Sequence, residues 1–123
     1  DGLLAGGIRV GKSGKVLLVT AALDGVPVDV ARSMTDMIKE KNPAAVAVLA
    51  VSGDGKLNFL AAAGKEAVAL GAHAGKLVGA VAAVTGGKGG GRPDNAMAGG
   101  RDIDQIPEAL STAEVVLGGM LKD

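Results

Sequence analysis

The sequence predicts an α+β domain of α/β-like character: a mixed β-sheet of about four to five strands with helices packed on it. Three observations carry this. The runs VLLVTAAL (Val16–Leu23) and AVAVLAVS (Ala45–Ser52) are continuously apolar and rich in β-branched residues, the pattern of strands buried on both faces. Between them, Val30, Met34, Met37 and Ile38 fall at i, i+4, i+7 and i+8, one face of a helix. After the second run, Ser52-Gly53-Asp54-Gly55 is a hairpin signal. Strand, helix, strand and hairpin require parallel and antiparallel pairing in one sheet, with a helix on one face.

Residues 1–15 (DGLLAGGIRVGKSGK) are glycine-rich and weakly patterned, and read as a lead-in, the remnant of a preceding helical part; 16–123 read as the globular domain. Asp24-Gly25 ends the first strand. Asp29 is placed to cap the helix, and Asn42-Pro43 to stop it at Lys41. Leu57–Ala63 is the third strand. Residues 64–73 read as a loop with one helical turn. Ala74–Val84 is a short helix with Leu77, Val78, Val81 and Val84 to one side and Lys76 off that stripe. Thr85–Gly91 cannot continue it, since each glycine costs about 1 kcal/mol in a helix relative to Ala. Ala96–Gly99 reads as a short edge strand. Asp102 or Asp104 caps a last helix running to about Leu121, with Pro107 in its first turn and Ile106, Leu110, Leu117 and Leu121 inward.

Composition narrows the function. There is no cysteine, so neither a disulfide framework nor a thiolate-ligated metal is available. The formal charge is zero, which argues against a strongly basic nucleic-acid binder. The zero is a balance of unequal parts. Residues 64–92 carry Lys65, Lys76, Lys88 and Arg92 against Glu66, a net +3, and 93–123 a net −4. Glycine is 21 of 123 residues, and one Phe is the sole aromatic, so the stacking surface of many single-strand binders is missing. No apolar run reaches membrane-spanning length and no signal peptide is visible, so no membrane partner is expected.

Gly6–Ser13 (GGIRVGKS) satisfies the G-x-x-x-x-G-K-[ST] phosphate-loop pattern. That chemistry needs a strand before the loop and a helix after it; here a strand follows, so the match is read as incidental. His73 is the sole histidine and makes no zinc set or nucleophile triad. Neither catalytic nor metal-ligating residues are assigned.

Gly86–Gly100 (GGKGGGRPDNAMAGG) is different. A glycine-rich loop over 86–92 presents bare backbone amides, and consecutive amides form anion-binding nests. Lys88 adds a point charge and Arg92 a planar fork suited to phosphate or a guanine edge. Pro93 stiffens the exit and Asp94 is placed to orient Arg92. A flexible linker is the plain alternative; the embedded Arg-Pro-Asp and trailing Ala-Gly-Gly count against it. The candidate nucleic-acid-binding set is Gly86, Gly87, Lys88, Gly89, Gly90, Gly91, Arg92, Pro93 and Asp94, with Lys76.

This stretch resembles the glycine-rich signature near the C-terminus of alanyl-tRNA synthetases. The strand order, the SGDGK hairpin and HAGKLVGAVA before the glycines extend the likeness over roughly residues 14 to 121. Lys88–Asp94, Ala96, Ala98, Gly99 and Gly100 match the motif; Asn95 and Met97 depart from it, where Met and Gln are usual. The resemblance implies a non-catalytic, DHH-associated C-terminal module of a cytoplasmic alanine–tRNA ligase. It would contact the elbow of tRNA-Ala and help couple aminoacylation to editing beside the other synthetase domains. No cofactor is implied in this segment; ATP, Mg and Zn would serve parts of the parent that nothing here matches. Two alternatives stay open: a nucleotide-cradling domain of a DHH-type phosphodiesterase or nuclease, where His usually follows the glycines in place of Arg92, and a dimerisation or structural module, with a homodimer as partner.

Overall fold

The computed structural model describes residues 7–11 and 14–122. Six strands form one mixed sheet: β1 (Ile8–Val10), β2 (Val16–Asp24), β3 (Ala45–Gly53), β4 (Lys56–Ala63), β5 (Lys88–Gly91) and β6 (Asn95–Gly100). Their order across the sheet is β1-β2-β3-β4-β6-β5. β2 and β3 run parallel, joined by helix α1 (Val28–Lys41), and every other pair is antiparallel. The β3–β4 hairpin turns on Asp54 and Gly55, with φ of 52° and 73°, and closes with Gly53 opposite Lys56. Two successive positive φ values make the two-residue turn whose twist matches that of the flanking strands.

Helices cover both faces, where one had been expected. On one side, Ile38 of α1 packs with Leu17, Val19, Ala45 and Ala47, and Ala31 with Leu49, Val51 and Leu60. On the other, α3 (Ala74–Val84) and α4 (Ile106–Met120) bury Val16, Leu18, Val46, Val48, Phe59, Ala96 and Ala98. A one-turn helix, α2 (Lys65–Ala69), links β4 to α3. Alanines dominate the centre of the sheet, and fully buried Phe59 is its single large aromatic filler.

The six strands exceed the expected count because two glycine-bearing segments pair. Ile8–Val10, inside the expected lead-in of 1–15, is antiparallel to Val16–Leu18. This strand also lies within the phosphate-loop match, of which Gly6, Lys12 and Ser13 fall outside the described residues. The tract expected as a loop over 86–92 is strand from Lys88 to Gly91, so β6, expected at an edge, is interior.

Helix details differ too. Pro27, with φ −60° and ψ 145°, holds the cap position of α1, and Asp29 lies in the first turn without a side-chain capping bond. The residues α1 buries are Ala31, Thr35 and Ile38; Val30 and Met37, expected inward, are 48% and 37% exposed. Before α4, Asp102 accepts from the Asp104 amide at 3.1 Å, capping a 3₁₀ turn over Ile103–Gln105. The inner stripe of α4 is Ile106, Ala109, Ala113 and Leu117, with Leu110 and Leu121 half-buried.

Candidate nucleic-acid interface

The glycine tract is held to α3 by backbone contact. A Cβ on Gly75 would lie 2.3 Å from the Gly91 carbonyl oxygen, and one on Gly79 would lie 3.0 Å from that of Gly89. A Cβ on Gly89 would meet Cα of Ala98 at 2.5 Å, and one on Gly87 the Gly99 carbonyl. Only residues without side chains let a helix and a strand approach this closely. That fit, with the ladder to β6, makes a strand of a sequence of poor strand propensity.

The amides of the tract are partly committed. Gly86 and Gly87 donate to Ala83 and Ala82 at 3.1 and 2.9 Å, and Arg92 to Asn95 at 3.0 Å. Arg92 and Asn95 thus form a hydrogen-bonded pair, and bonded and non-bonded pairs alternate along an antiparallel ladder. Lys88 and Gly90 therefore bond to β6, while Gly89 and Gly91 turn their backbone groups away from it, and on that side their carbonyls lie against Gly79 and Gly75 of α3. The feature is an exposed edge strand whose backbone packs on α3, in place of a nest of consecutive free amides.

Register also fixes the side chains. Ala96 and Ala98 face α3, and a Cβ on Gly91 or Gly89 opposite them would run into Ala96 or Ala98 of β6 itself. Lys88 and Arg92, four residues apart, share one side of the strand. Both are exposed, stand about 13 Å apart along the strand, and have no carboxylate within 4 Å among the described residues. Asp94 does not orient Arg92: its Oδ2 lies 3.9 Å from Nζ of Lys39, which is also 3.8 Å from Asp36. Arg32 donates to the Met97 sulfur at 3.8 Å, and Asn95 donates to Asp36 at 3.5 Å. The two departures from the motif, Asn95 and Met97, are thus the residues that meet α1. Sequence reasoning omitted Arg32, Asp36 and Lys39, although their i, i+4, i+7 spacing marked them as one stripe.

Pro93 and Arg92 turn back onto α3. Their carbonyls accept from Ala74 at 2.8 Å and Gly75 at 3.0 Å, and His73 Nδ1 accepts from Lys76 at 3.1 Å. These bonds occupy the first amides of α3, so its N-terminus offers no anion site of the phosphate-loop kind. Exposed Lys76 instead lines a groove of about 430 Å³ with His73, Pro93 and Lys122. Lys122 is a second cation there that sequence reasoning did not single out. At the far end of the tract, buried Thr85 donates to Ala82 at 2.8 Å and accepts from the Arg101 amide at 3.3 Å, fixing the base of the β5–β6 hairpin.

No helix among the described residues is long and apolar enough to cross a membrane. The chain is 47% identical to the alanine–tRNA ligase of Shouchella clausii over 103 residues and 44% identical to that of Alkaliphilus oremlandii over 108, or 84% and 88% of this chain. It spans only 12% of the length of each. Among solved structures, the C-Ala domain of Aquifex aeolicus alanyl-tRNA synthetase matches with a TM-score of 0.80 at 28% identity, covering 92% of this chain and 98% of that one. The pGpG-specific phosphodiesterase PggH of Vibrio matches with a TM-score of 0.52 at 11% identity, over 86% of this chain and 34% of that one, a likeness of fold alone. The DHHA1 domain model covers residues 14–119, and the chain belongs to the DHHA1 domain family.

Proposed function

We propose that the chain is the C-terminal module of an alanine–tRNA ligase, and that it binds tRNA through the β5–β6 edge. In this reading it contacts the tRNA elbow in the cytoplasm and helps present one tRNA to the aminoacylation and editing domains of the parent. In this reading ligation belongs to the parent enzyme.

The observation that carries the reading is the exposed β5 strand. Lys88 and Arg92 stand at its two ends, exposed and without carboxylate partners among the described residues. Bare glycine lets a sugar–phosphate backbone approach the main chain, and the cations neutralise phosphates. With a single aromatic residue, buried at Phe59, affinity rests on phosphate contacts and shape.

Titration of tRNA-Ala against the chain and its Arg92→Ala and Lys88→Ala variants tests this. Arg92→Ala is expected to cost about 1–3 kcal/mol of binding. Lys88→Ala is expected to lower the magnitude of the salt slope by about 1. Equal affinities for all three proteins refute the assignment.

A further inference from the structure

One groove gathers hydrogen-bond donors and no carboxylate. His73, Lys76 and Lys122 line a cavity of about 430 Å³ between the first turn of α3 and the end of α4, with Pro93 beside them. Lys76 and Lys122 are exposed, and neither has a carboxylate within 4 Å among the described residues. The rest of the lining is apolar or glycine, and no described carboxylate belongs to it. Two cations on facing walls of a concave site raise the local concentration of anions more than the same charges on a flat surface.

The backbone builds this arrangement. Gly71 has φ of 113°, and a Cβ there would run into the Met120 carbonyl oxygen and touch Cγ of Lys122 at 3.4 Å. The Lys122 amide donates to the Leu70 carbonyl at 2.7 Å. A residue without a side chain thus lets the end of α4 close onto the α2–α3 link, and the Lys122 stem lies against it. On the facing wall, His73 Nδ1 accepts from the Lys76 amide at 3.1 Å. A ring that accepts at Nδ1 carries its proton on Nε2. That N–H is a donor with no acceptor among the described residues. The Ala74 and Gly75 amides are taken by Pro93 and Arg92, so the donors here are side chains and not the helix end.

We propose that this groove binds a phosphate group. The donors are two point charges and an imidazole, reaching in from two walls. A carboxylate offers its oxygens in one plane and suits a guanidinium fork, which the groove lacks. A tetrahedral phosphate meets donors from several directions, and lysine serves it as a point charge. The phosphate comes either from a free monoester or from the backbone of a nucleic acid lying across Pro93. The inference stands apart from the β5 reading, because it uses neither Lys88 nor Arg92.

Titration of the chain with inorganic phosphate at constant pH and ionic strength, followed by NMR, tests the proposal. The Lys76 and Lys122 amides and the His73 ring are expected to shift along a saturable curve in the millimolar range. Chloride at the same ionic strength is expected not to move them. Lys76→Ala and Lys122→Ala are each expected to weaken phosphate binding by about fivefold or more while circular dichroism stays native. Lys56→Ala removes an exposed cation at the β3–β4 hairpin and is expected to leave binding unchanged. Titration of tRNA against Lys122→Ala names the source. A weaker complex assigns the phosphate to the nucleic acid, and an unaltered one assigns it to a free monoester. Shifts that never saturate, equal shifts with chloride, or binding indifferent to both lysine variants overturn the proposal. None of these outcomes depends on how Arg92→Ala affects tRNA, so the two readings fail separately.

Discussion

Replacing Gly75 by Ala sets a methyl carbon 2.3 Å from the Gly91 carbonyl oxygen and 2.8 Å from the Gly91 carbonyl carbon and nitrogen. Real Cβ atoms stay beyond 3.0 Å, so α3 and β5 must part by about 0.7 Å. All three obstacles are backbone atoms, and no rotamer change relieves them. The same displacement stretches the Gly75→Arg92 and Ala74→Pro93 bonds, now 3.0 and 2.8 Å. Overpacking costs about 1–3 kcal/mol and each weakened bond up to about 1 kcal/mol. Against this, Ala gains about 1 kcal/mol over Gly inside a helix. The expected net loss is about 2 kcal/mol, or roughly 8 °C in Tm for a domain of this size. Gly79→Ala is the internal control, because its Cβ would lie 3.0 Å from Gly89, at the limit of tolerance. There the propensity gain and the tight contact nearly cancel, and stability is expected to change by less than about 0.5 kcal/mol. Urea denaturation followed by circular dichroism measures both. Equal stability of the two variants would refute the claim that bare backbone contact locks β5 to α3.

Other expectations follow from the same geometry. Gly64→Ala drives a Cβ to 2.3 Å from the Pro43 carbonyl, which already accepts from Glu66 and Ala67, and is expected to cost about 2–3 kcal/mol in the same denaturation assay. Phe59→Ala empties the largest fully buried side-chain site and is expected to cost about 3–5 kcal/mol, read as a large fall in melting temperature. His73→Ala removes the acceptor for the Lys76 amide and is expected to cost about 1 kcal/mol, whereas His73→Asn, which can cap, recovers most of it. Gly119→Ala meets nothing within 4 Å inside α4 and is expected to stabilise by up to about 1 kcal/mol, a rise in the urea midpoint.

The core of the fold was legible where side chains carry the signal. The apolar runs at Val16 and Ala45, the Asp54-Gly55 turn and the Leu77/Val78/Val81 stripe each announce an element that the structure contains. Legibility failed where glycine carries it. A tract without side chains has no periodicity, so nothing in Lys88–Gly91 distinguishes a loop from a strand; the deciding partners, Gly75 and Gly79, lie in an element read separately. The same ambiguity hid β1. On α1, periodicity picked out the most hydrophobic stripe, but packing against an alanine-rich sheet favours the slimmer Ala31 and Thr35. At the candidate interface, Lys88 and Arg92 could be named from sequence. Their common face and the diversion of Asp94 to Lys39 depend on register and on a helix some 60 residues away, which no local pattern encodes.

The carbonyls of Arg92 and Pro93 close the first turn of α3. The residue at the end of the edge strand is thereby also a splice into a helix whose opening residues, Ala74 and Gly75, are buried. A load applied to the Arg92 guanidinium is shared between its amide, bonded to Asn95 of β6, and its carbonyl, bonded to α3. Whatever grips that arginine takes hold of the domain by a rigid handle, and a ligand can lean on this corner without peeling the outermost strand away.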